Sequence, residues 1–205
     1  MQRCSHTVAR YALIATLLGA LLLAAACGSS GKTSLSGTVR SPKLEVGSVQ
    51  LSDVRVAVPG TRFSTRAENG GLLVVYFGYT TCPDICPTTL AGLRVALSKL
   101  GADARRVEVA FVTVDPARDT PKVLRTFVGQ FFANAHLLRP SSAAQLDTAK
   151  RAFLVTTKVQ MDGSIDHSSS LAVVDAHGTV LVEWPYGITP ASIAHDLRSL
   201  LAAAA

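Results

Sequence analysis

The chain has 205 residues, of which 48% are hydrophobic and 17% are charged, and its formal net charge is +6. This length predicts one globular domain together with a short additional segment. The basic residues are dispersed along the chain, which excludes the electrostatic footprint of a nucleic-acid-binding protein and leaves only a mild attraction to anionic surfaces.

The additional segment lies at the amino end. Arg3 and Arg10 precede an apolar run over residues 11–26, which ends in small residues. A positive region, a short apolar region and a small-residue cleavage site are typical of a secretory signal, and the run falls short of the roughly 20 residues that span a bilayer. We therefore predict a signal peptide at 1–26. Its removal takes two basic residues and no acidic ones, so the net charge falls to +4.

Cys27 follows this signal directly. It occupies the position at which a bacterial lipoprotein signal, which this stretch resembles, places its lipidated cysteine. The resemblance implies an exported lipoprotein on the outer face of the bacterial cytoplasmic membrane, with residues 27–37 as a flexible tether. Ala24 stands where such signals prefer leucine, so ordinary cleavage or an uncleaved anchor are the alternatives.

Residues 38–205 are predicted to form the folded domain. Short alternating stretches and turn formers over 38–63 predict an irregular hairpin. The nearly continuous apolar run 72–77 predicts a central strand covered on both faces. A helix with regularly spaced leucines then stops at Gly101, and a second strand follows at 107–114. Strand, helix and strand in this order predict a parallel crossover.

The carboxyl half of the domain mixes helices and strands. Helices are predicted at 120–132, 143–152 and 190–201, and strands at 153–159, 171–175 and 179–184. Mixed strands flanked by helices predict an α/β sandwich around a central sheet. The sequence shows no internal repeat and no second domain.

Two cysteines, Cys82 and Cys86, lie between the predicted central strand and the first helix. Open α/β sheets place their ligand sites at such a point. A cysteine at a helix amino terminus meets unpaired N–H groups and the positive end of the helix dipole, which favour the thiolate. Both sulfurs can face the same side, because one helical turn separates them. They could bind a metal, exchange disulfides or form a structural disulfide, and the last would stabilise little because it closes a short loop.

His167 offers a third ligand for a metal. It follows a predicted turn at 162–163 and precedes the strand at 171–175, whose start could lie beside the cysteines. Two sulfurs and an imidazole favour Cu(I) and also serve Cu(II), whereas a structural zinc normally needs a fourth protein ligand. We therefore predict a copper site. The sequence gives no comparable reason to expect metal binding by the other histidines of the domain, which are His136, His177 and His195.

A charged loop follows the second predicted strand at the same edge of the sheet. Asp115, Arg118 and Asp119 could tune the thiolates or dock a partner. Alternatively, Asp119 or Thr120 could cap the next helix. Packing roles are predicted for the aromatic residues beside the cysteines, and a core or partner-facing role for a tryptophan; these are Tyr76, Phe77, Tyr79 and Trp184.

Three segments resemble the Sco/SenC family of copper-binding, thioredoxin-like factors for assembly of cytochrome c oxidase. They are YFGYTTCPDICP at 76–87, DPARDTP at 115–121 and DHSSS at 166–170. The resemblance implies a thioredoxin-like three-layer α/β sandwich with a central mixed sheet and an N-terminal hairpin layer. It also implies that Cys82, Cys86 and His167 are the ligands of the copper ion.

The family resemblance further implies a metallochaperone. Such a protein would deliver copper to the dinuclear centre in subunit II of cytochrome c oxidase, with that subunit or its assembly factors as partners. The alternative is a thiol-disulfide reductase that keeps a partner's cysteines reduced for metallation, with Cys82 and Cys86 as the redox-active pair. Both roles use one site and can coexist. A peroxidase is disfavoured, because Tyr79 and Pro83 stand where it would need threonine.

Overall fold

The computed structural model describes residues 34–55 and 61–204 of the chain. The predicted signal peptide at 1–26, the predicted lipid anchor Cys27 and most of the predicted tether lie outside these residues. Every element below belongs to the unit that begins at Leu35. Within the described residues, none of the helices combines the length and the apolar character that a membrane span requires.

Most of the strands in the described residues form one mixed sheet. The strands are β1 (Gln50–Asp53), β2 (Arg62–Ser64), β3 (Leu72–Gly78), β4 (Val107–Thr113), β5 (His136–Arg139), β6 (Thr157–Val159), β7 (Ile165–His167), β8 (Leu171–Val174) and β9 (Val180–Trp184). Seven of them lie in the order β2-β1-β5-β4-β3-β8-β9. The parallel strands β3, β4 and β5 are flanked by antiparallel neighbours on both sides. The remaining two, β6 and β7, pair only with each other, as an antiparallel hairpin.

Helices accompany this sheet. They are α1 (Ile85–Ser98), α2 (Pro121–Val128), α3 (Ala143–Ala152) and α4 (Pro190–Ala203), and a 3₁₀ helix spans Gly101–Arg106. The sequence explains where three of them begin. Thr120, Ser142 and Thr189 each accept a hydrogen bond from the backbone N–H three residues later. Such caps satisfy N–H groups that have no partner inside the helix.

Strand β3 positions the region around the cysteines. All seven of its residues are buried, as the apolar run predicts. It pairs in parallel with β4 and antiparallel with β8, so neither edge is free. Its carboxyl end at Gly78 is therefore a rigid point, and the cysteine loop starts from it.

The predicted α/β architecture with a central mixed sheet is confirmed. The predicted N-terminal hairpin is also present, because β1 and β2 pair antiparallel. Since β1 pairs on its other edge with β5, this hairpin extends the central sheet.

One strand and two predicted boundaries differ from the structure, each for a local reason. Strand β5 is missing from the prediction, because its four residues are too few to show a periodic pattern. Helix α2 ends at Val128, and the chain as far as Phe132 continues as turns bonded to the Val128 carbonyl. The strand predicted from residue 153 begins only at Thr157, because Leu154 adopts a left-handed backbone conformation with φ of 54°.

His136 occupies a buried charged cluster at the start of β5. Its Nδ1 lies 2.8 Å from Asp53 Oδ2, and its Nε2 lies 3.2 Å from Glu108 Oε1. Phe63 covers the imidazole, with 3.9 Å between ring centroids. Burial alone would lower the pKa of His136, but the hydrogen bonds to the two carboxylates raise it, against the opposing charge of Arg55. The cluster is not visible in the sequence because its members come from separate strands.

We expect His136→Gln to lower the free energy of unfolding by about 1–3 kcal/mol at pH 6, because one buried and one partly buried bond to a charged group are lost. A pKa raised in the folded state gives stability that is complete below the unfolded pKa of about 6.5 and is lost as the pH rises through the folded pKa. The loss measured by urea denaturation should therefore be smaller at pH 9. His177→Gln, at an exposed turn, is the control. Equal losses at both pH values would contradict the prediction.

Candidate metal centre

Cys82 and Cys86 lie at the junction of β3 and α1. Cys82 belongs to the connecting loop, and Cys86 is the second residue of the helix. The backbone N–H of Cys86 donates to Cys82 Sγ at 3.3 Å. Pro87 is the third helical residue, where its missing N–H has no intrahelical partner to lose. Both thiols are free, and the start of the helix brings the two sulfurs together.

Cys86 is enclosed by the end of β3. Its side chain is fully buried, and Tyr76 Oη donates to Cys86 Sγ at 3.5 Å. Gly78 permits this approach, since a Cβ at that position would lie only 3.0 Å from the sulfur. Burial raises the pKa of the Cys86 thiol to about 12. The helix amino terminus does not outweigh this burial, so Cys86 is protonated at neutral pH and must lose its proton to bind a metal.

His167 approaches the cysteines from the end of β7. Its Nε2 lies 3.6 Å from Cys86 Sγ, and its Nδ1 lies 2.9 Å from the carbonyl oxygen of Ser168. The carbonyl can only accept, so Nδ1 carries the hydrogen and the lone pair of Nε2 points towards the sulfur. Burial lowers the pKa of His167, which keeps the ring neutral. The rings of Tyr76 and Tyr79 meet the imidazole edge-on, at centroid distances of 6.2 and 5.8 Å.

The three candidate ligands converge on one point. Cys82 Sγ, Cys86 Sγ and a ring nitrogen of His167 all lie within 4.8 Å of one another. Bonds of about 2.3 Å to sulfur and about 2.0 Å to nitrogen, at 120°, would place the nitrogen about 3.7 Å from each sulfur. The observed distance of 3.6 Å from Cys86 Sγ therefore fits a single ion. Elsewhere in the described part of the chain, no other three such side chains lie this close.

Asp119 connects the cysteine loop to β4. It is fully buried and accepts hydrogen bonds from Thr80 Oγ1 and Thr113 Oγ1, both at 2.5 Å, and from the backbone N–H of Thr80 at 3.2 Å. Burial raises the pKa of this carboxyl. The alternative helix-capping role belongs to Thr120, whose Oγ1 accepts from the N–H of Val123. The structure thus assigns the helix cap to Thr120, and the role of Asp119 towards the thiolates or a partner stays a prediction.

Asp115 and Arg118 form an ion pair through Arg118 Nε and Asp115 Oδ2. Arg118 Nη2 also donates to the carbonyl oxygen of Gly163, at 2.8 Å. Gly163 lies in the turn between β6 and β7, so the charged loop contacts the hairpin that ends in His167.

Sequence reasoning missed the polar role of Tyr79, for which it predicts packing. The side chain is buried, but its hydroxyl accepts a hydrogen bond from the N–H of Ile165 in β7, at 3.2 Å. The available signal was its position at the end of a strand and within the cysteine segment. Trp184 proves to be a core residue, fully buried and bonded through Nε1 to Asp196.

Comparisons with known proteins show what the chain is similar to. The family profile described as SCO1/SenC matches residues 55–202. A Stutzerimonas stutzeri protein whose name refers to copper binding is 37% identical over 123 residues, which are 58% of this chain and 60% of that relative. The chain therefore covers less than two thirds of the length of that relative.

Solved structures show the same fold. Bradyrhizobium japonicum ScoI with copper bound has a TM-score of 0.61 at 27% identity, over 80% of this chain and 98% of that one. BsSco, described as a member of the Sco family of cytochrome c oxidase assembly proteins, has a TM-score of 0.63 at 24% identity, over 83% and 96%. These matches confirm the predicted thioredoxin-like fold.

Proposed function

The chain belongs to the SCO1/SenC family, and from that premise we propose that it is an extracytoplasmic copper chaperone. It binds one copper ion, Cu(I) or Cu(II), through Cys82, Cys86 and His167. It delivers the ion to the copper centre of cytochrome c oxidase subunit II, by contact with that subunit or with its assembly factors. Support comes from ScoI, which was solved with copper bound, and from the description of Sco proteins as cytochrome c oxidase assembly proteins.

One observation carries the proposal most directly. The lone pair of His167 Nε2 faces Cys86 Sγ at 3.6 Å, although 81 residues separate the two in the chain. Two thiolates and one imidazole form a soft ligand set that suits copper. A structural zinc site would normally have a fourth protein ligand, and the described residues place none with these three.

The different burial of the ligands suits a site that gives up its ion. Cys86 is fully buried and Cys82 is 8% exposed, while His167 is partly exposed at the end of a hairpin. An incoming ligand of the recipient therefore reaches the ion from the side of His167. As copper leaves, the raised pKa of Cys86 favours return of its proton.

The proposal includes a location for the protein. A signal peptide at 1–26 would direct export, and a lipid on Cys27 would anchor the chain to the outer face of the bacterial cytoplasmic membrane. Residues 27–37 would then separate the anchor from the domain at 38–205. The end of this segment is attached to the domain, because the N–H groups of Ser36 and Gly37 donate to Asp196.

A thiol-disulfide reductase is the second candidate function. The observation that favours it is the free, adjacent pair of thiols, in which Cys82 Sγ accepts a hydrogen bond from the start of the helix. Cys82 is also the more exposed of the two thiols, so a partner's disulfide reaches it first. Cys86, being fully buried, would act as the resolving thiol.

We expect the reduced protein to bind about one copper ion per chain when titrated with Cu(I) without oxygen, because all three ligands serve a single ion. Copper would be counted by metal analysis after desalting. The double variant Cys82→Ser, Cys86→Ser should bind none. A wild-type protein that binds no copper under these conditions would reject the chaperone function.

The copper-loaded protein serves to test delivery. It would be mixed with the reduced, copper-free soluble domain of oxidase subunit II, and the copper bound to that domain would be counted by metal analysis after the two proteins are separated. The same domain with alkylated cysteines is the control, since it can receive nothing. Binding without transfer would retain the copper site but reject subunit II as the recipient.

A further inference from the structure

The hairpin that ends in His167 has little support of its own. This His167 hairpin (residues 157–167) consists of β6, a turn and β7, and it lies outside the central sheet. Isolated two-stranded hairpins are marginally stable in water. Its apolar side chains near the turn do not anchor it, since Val159 is 69% exposed and Met161 is completely exposed. Ile165, in β7, is the apolar residue of the hairpin that is buried in the core, so polar contacts decide where the turn of the hairpin lies.

These contacts occur at the base and at the turn of the hairpin. At the base, Lys150 Nζ of α3 donates to Thr157 Oγ1 at 3.0 Å. Thr156 and Ser168 close the base by bonding to each other. At the turn, Arg118 Nη2 donates to the carbonyl oxygen of Gly163. Between them, Tyr79 Oη accepts from Ile165 N–H. The bond from Arg118 is the one that reaches furthest from the base.

Arg118 is itself held in place. Its Nε pairs with the carboxylate of Asp115, which is buried, and its backbone N–H faces the same carboxylate. The planar guanidinium group can therefore bond Asp115 and Gly163 at the same time, with little further loss of side-chain entropy. The acceptor at Gly163 is a main-chain oxygen, so the contact depends on the residue at position 118 alone.

We propose that Arg118 is a positioning residue for the copper site, and this rests on the proposed function. By fixing the turn at Gly163, it sets the approach of His167 Nε2 to the two sulfurs. Four residue steps of extended chain lead from Gly163 to His167, roughly 13 Å, so a tilt at the turn moves the imidazole. The side chain of Arg118 is 46% exposed, and surface ion pairs add little to global stability. Loss of Arg118 should therefore affect the site and leave the fold intact.

The test compares Arg118→Gln with Arg125→Gln. Arg125 is a matched control, because it is exposed and also donates to a main-chain carbonyl, that of Val54. Reduced protein would be loaded with Cu(II), and nitrogen hyperfine coupling would be measured by electron paramagnetic resonance together with copper release to a chelator. In the metal-free protein, hydrogen exchange of the Ile165 amide would report the position of the hairpin.

We expect Arg118→Gln to release copper about ten times faster than the control. Mutation of a residue that orients a metal ligand typically lowers the metal affinity at least about tenfold. Its nitrogen coupling should move towards that of His167→Ala, and the Ile165 amide should exchange faster. Arg118→Lys should fall between Arg118→Gln and wild type, since lysine keeps the charge but not the planar guanidinium group. The urea midpoint should equal that of Arg125→Gln.

Two results would overturn the inference, and they differ from each other. If His167→Ala loses the nitrogen coupling while Arg118→Gln behaves as Arg125→Gln in all three readouts, the positioning role fails and the copper site stands. If His167→Ala keeps the wild-type coupling, the ligand assignment of the proposed function fails, and the role of Arg118 fails with it.

Discussion

Replacing His167 by alanine is expected to weaken copper binding by about 100-fold or more. Loss of an outer partner of a metal ligand costs ten- to a hundredfold, and His167 is itself the nitrogen ligand of the proposed site. The two thiolates would remain, so the variant should bind copper weakly and lose nitrogen coupling. The ring is partly buried, and its Nδ1 donates one hydrogen bond to the carbonyl oxygen of Ser168. Because the substitution removes this single backbone contact, the fold should tolerate it.

The affinity would be measured by competition with a chromophoric Cu(I) chelator. His177→Ala, at an exposed turn, is the matched control and should keep wild-type affinity. The same variants also separate the two candidate functions. A chaperone that is also a reductase should lose copper affinity in His167→Ala but keep disulfide exchange, because the cysteines remain. Wild-type affinity in His167→Ala would remove this residue from the ligand set.

Replacing Asp196 by alanine is expected to lower the free energy of unfolding by about 2–4 kcal/mol, because it leaves the buried Trp184 Nε1 without an acceptor and removes three further hydrogen bonds. The carboxylate is fully buried in α4. It accepts hydrogen bonds from Trp184 Nε1 at 2.9 Å, from the backbone N–H groups of Ser36 and Gly37 at 2.8 and 3.0 Å, and from His195 Nδ1 at 3.0 Å. Asp196 therefore joins the amino-terminal segment, β9 and α4.

The pH dependence of this loss follows from the pKa of Asp196. Burial alone would raise it, but the bonds from Ser36, Trp184, His195 and Gly37 hold it below its ordinary value. A depressed pKa gives stability that is present above the unfolded pKa of about 3.9 and is lost as the pH falls through the folded pKa. The difference between wild type and Asp196→Ala should thus be full at pH 7 and shrink below about pH 4.

Urea denaturation at pH 7 and below about pH 4 would measure the loss of unfolding free energy. Asp147→Ala is the control, because Asp147 is 52% exposed and pairs only with Lys150, and its loss should cost at most about 1 kcal/mol. Asp196→Asn should be intermediate, since its amide oxygen can still accept from Trp184. If Asp196→Ala loses no more unfolding free energy than Asp147→Ala does, the hydrogen bonds of Asp196 do not stabilise the domain.

Long regular elements were predictable from the sequence because their signals are local. The apolar run of β3, the leucine spacing of α1 and the capping threonine with proline at the start of α2 all lie within a few residues of the elements they define. Strand β5 and the early end of α2 were not predictable. The four residues of β5 become a strand only because β4 and β1 offer edges on both sides.

The same division holds at the candidate site. The cysteine segment was predictable from the sequence, because its residue types and its place between a strand and a helix suffice to predict a site. The high pKa of Cys86 does not follow from that segment. It depends on burial against Tyr76 and Gly78, which overrides the effect of the helix terminus.

The amino-acid sequence by itself determined the α/β class, the position of Cys82 and Cys86 at a strand end and the choice of His167 as their partner. Only the tertiary structure decided that His167 comes from a separate hairpin, that Nε2 is its free nitrogen, and that Arg118 and Tyr79 contact that hairpin. The reason is physical. Residue type and spacing are properties of neighbouring residues, whereas burial, tautomer and hydrogen-bond partners depend on groups that meet only when distant segments pack together.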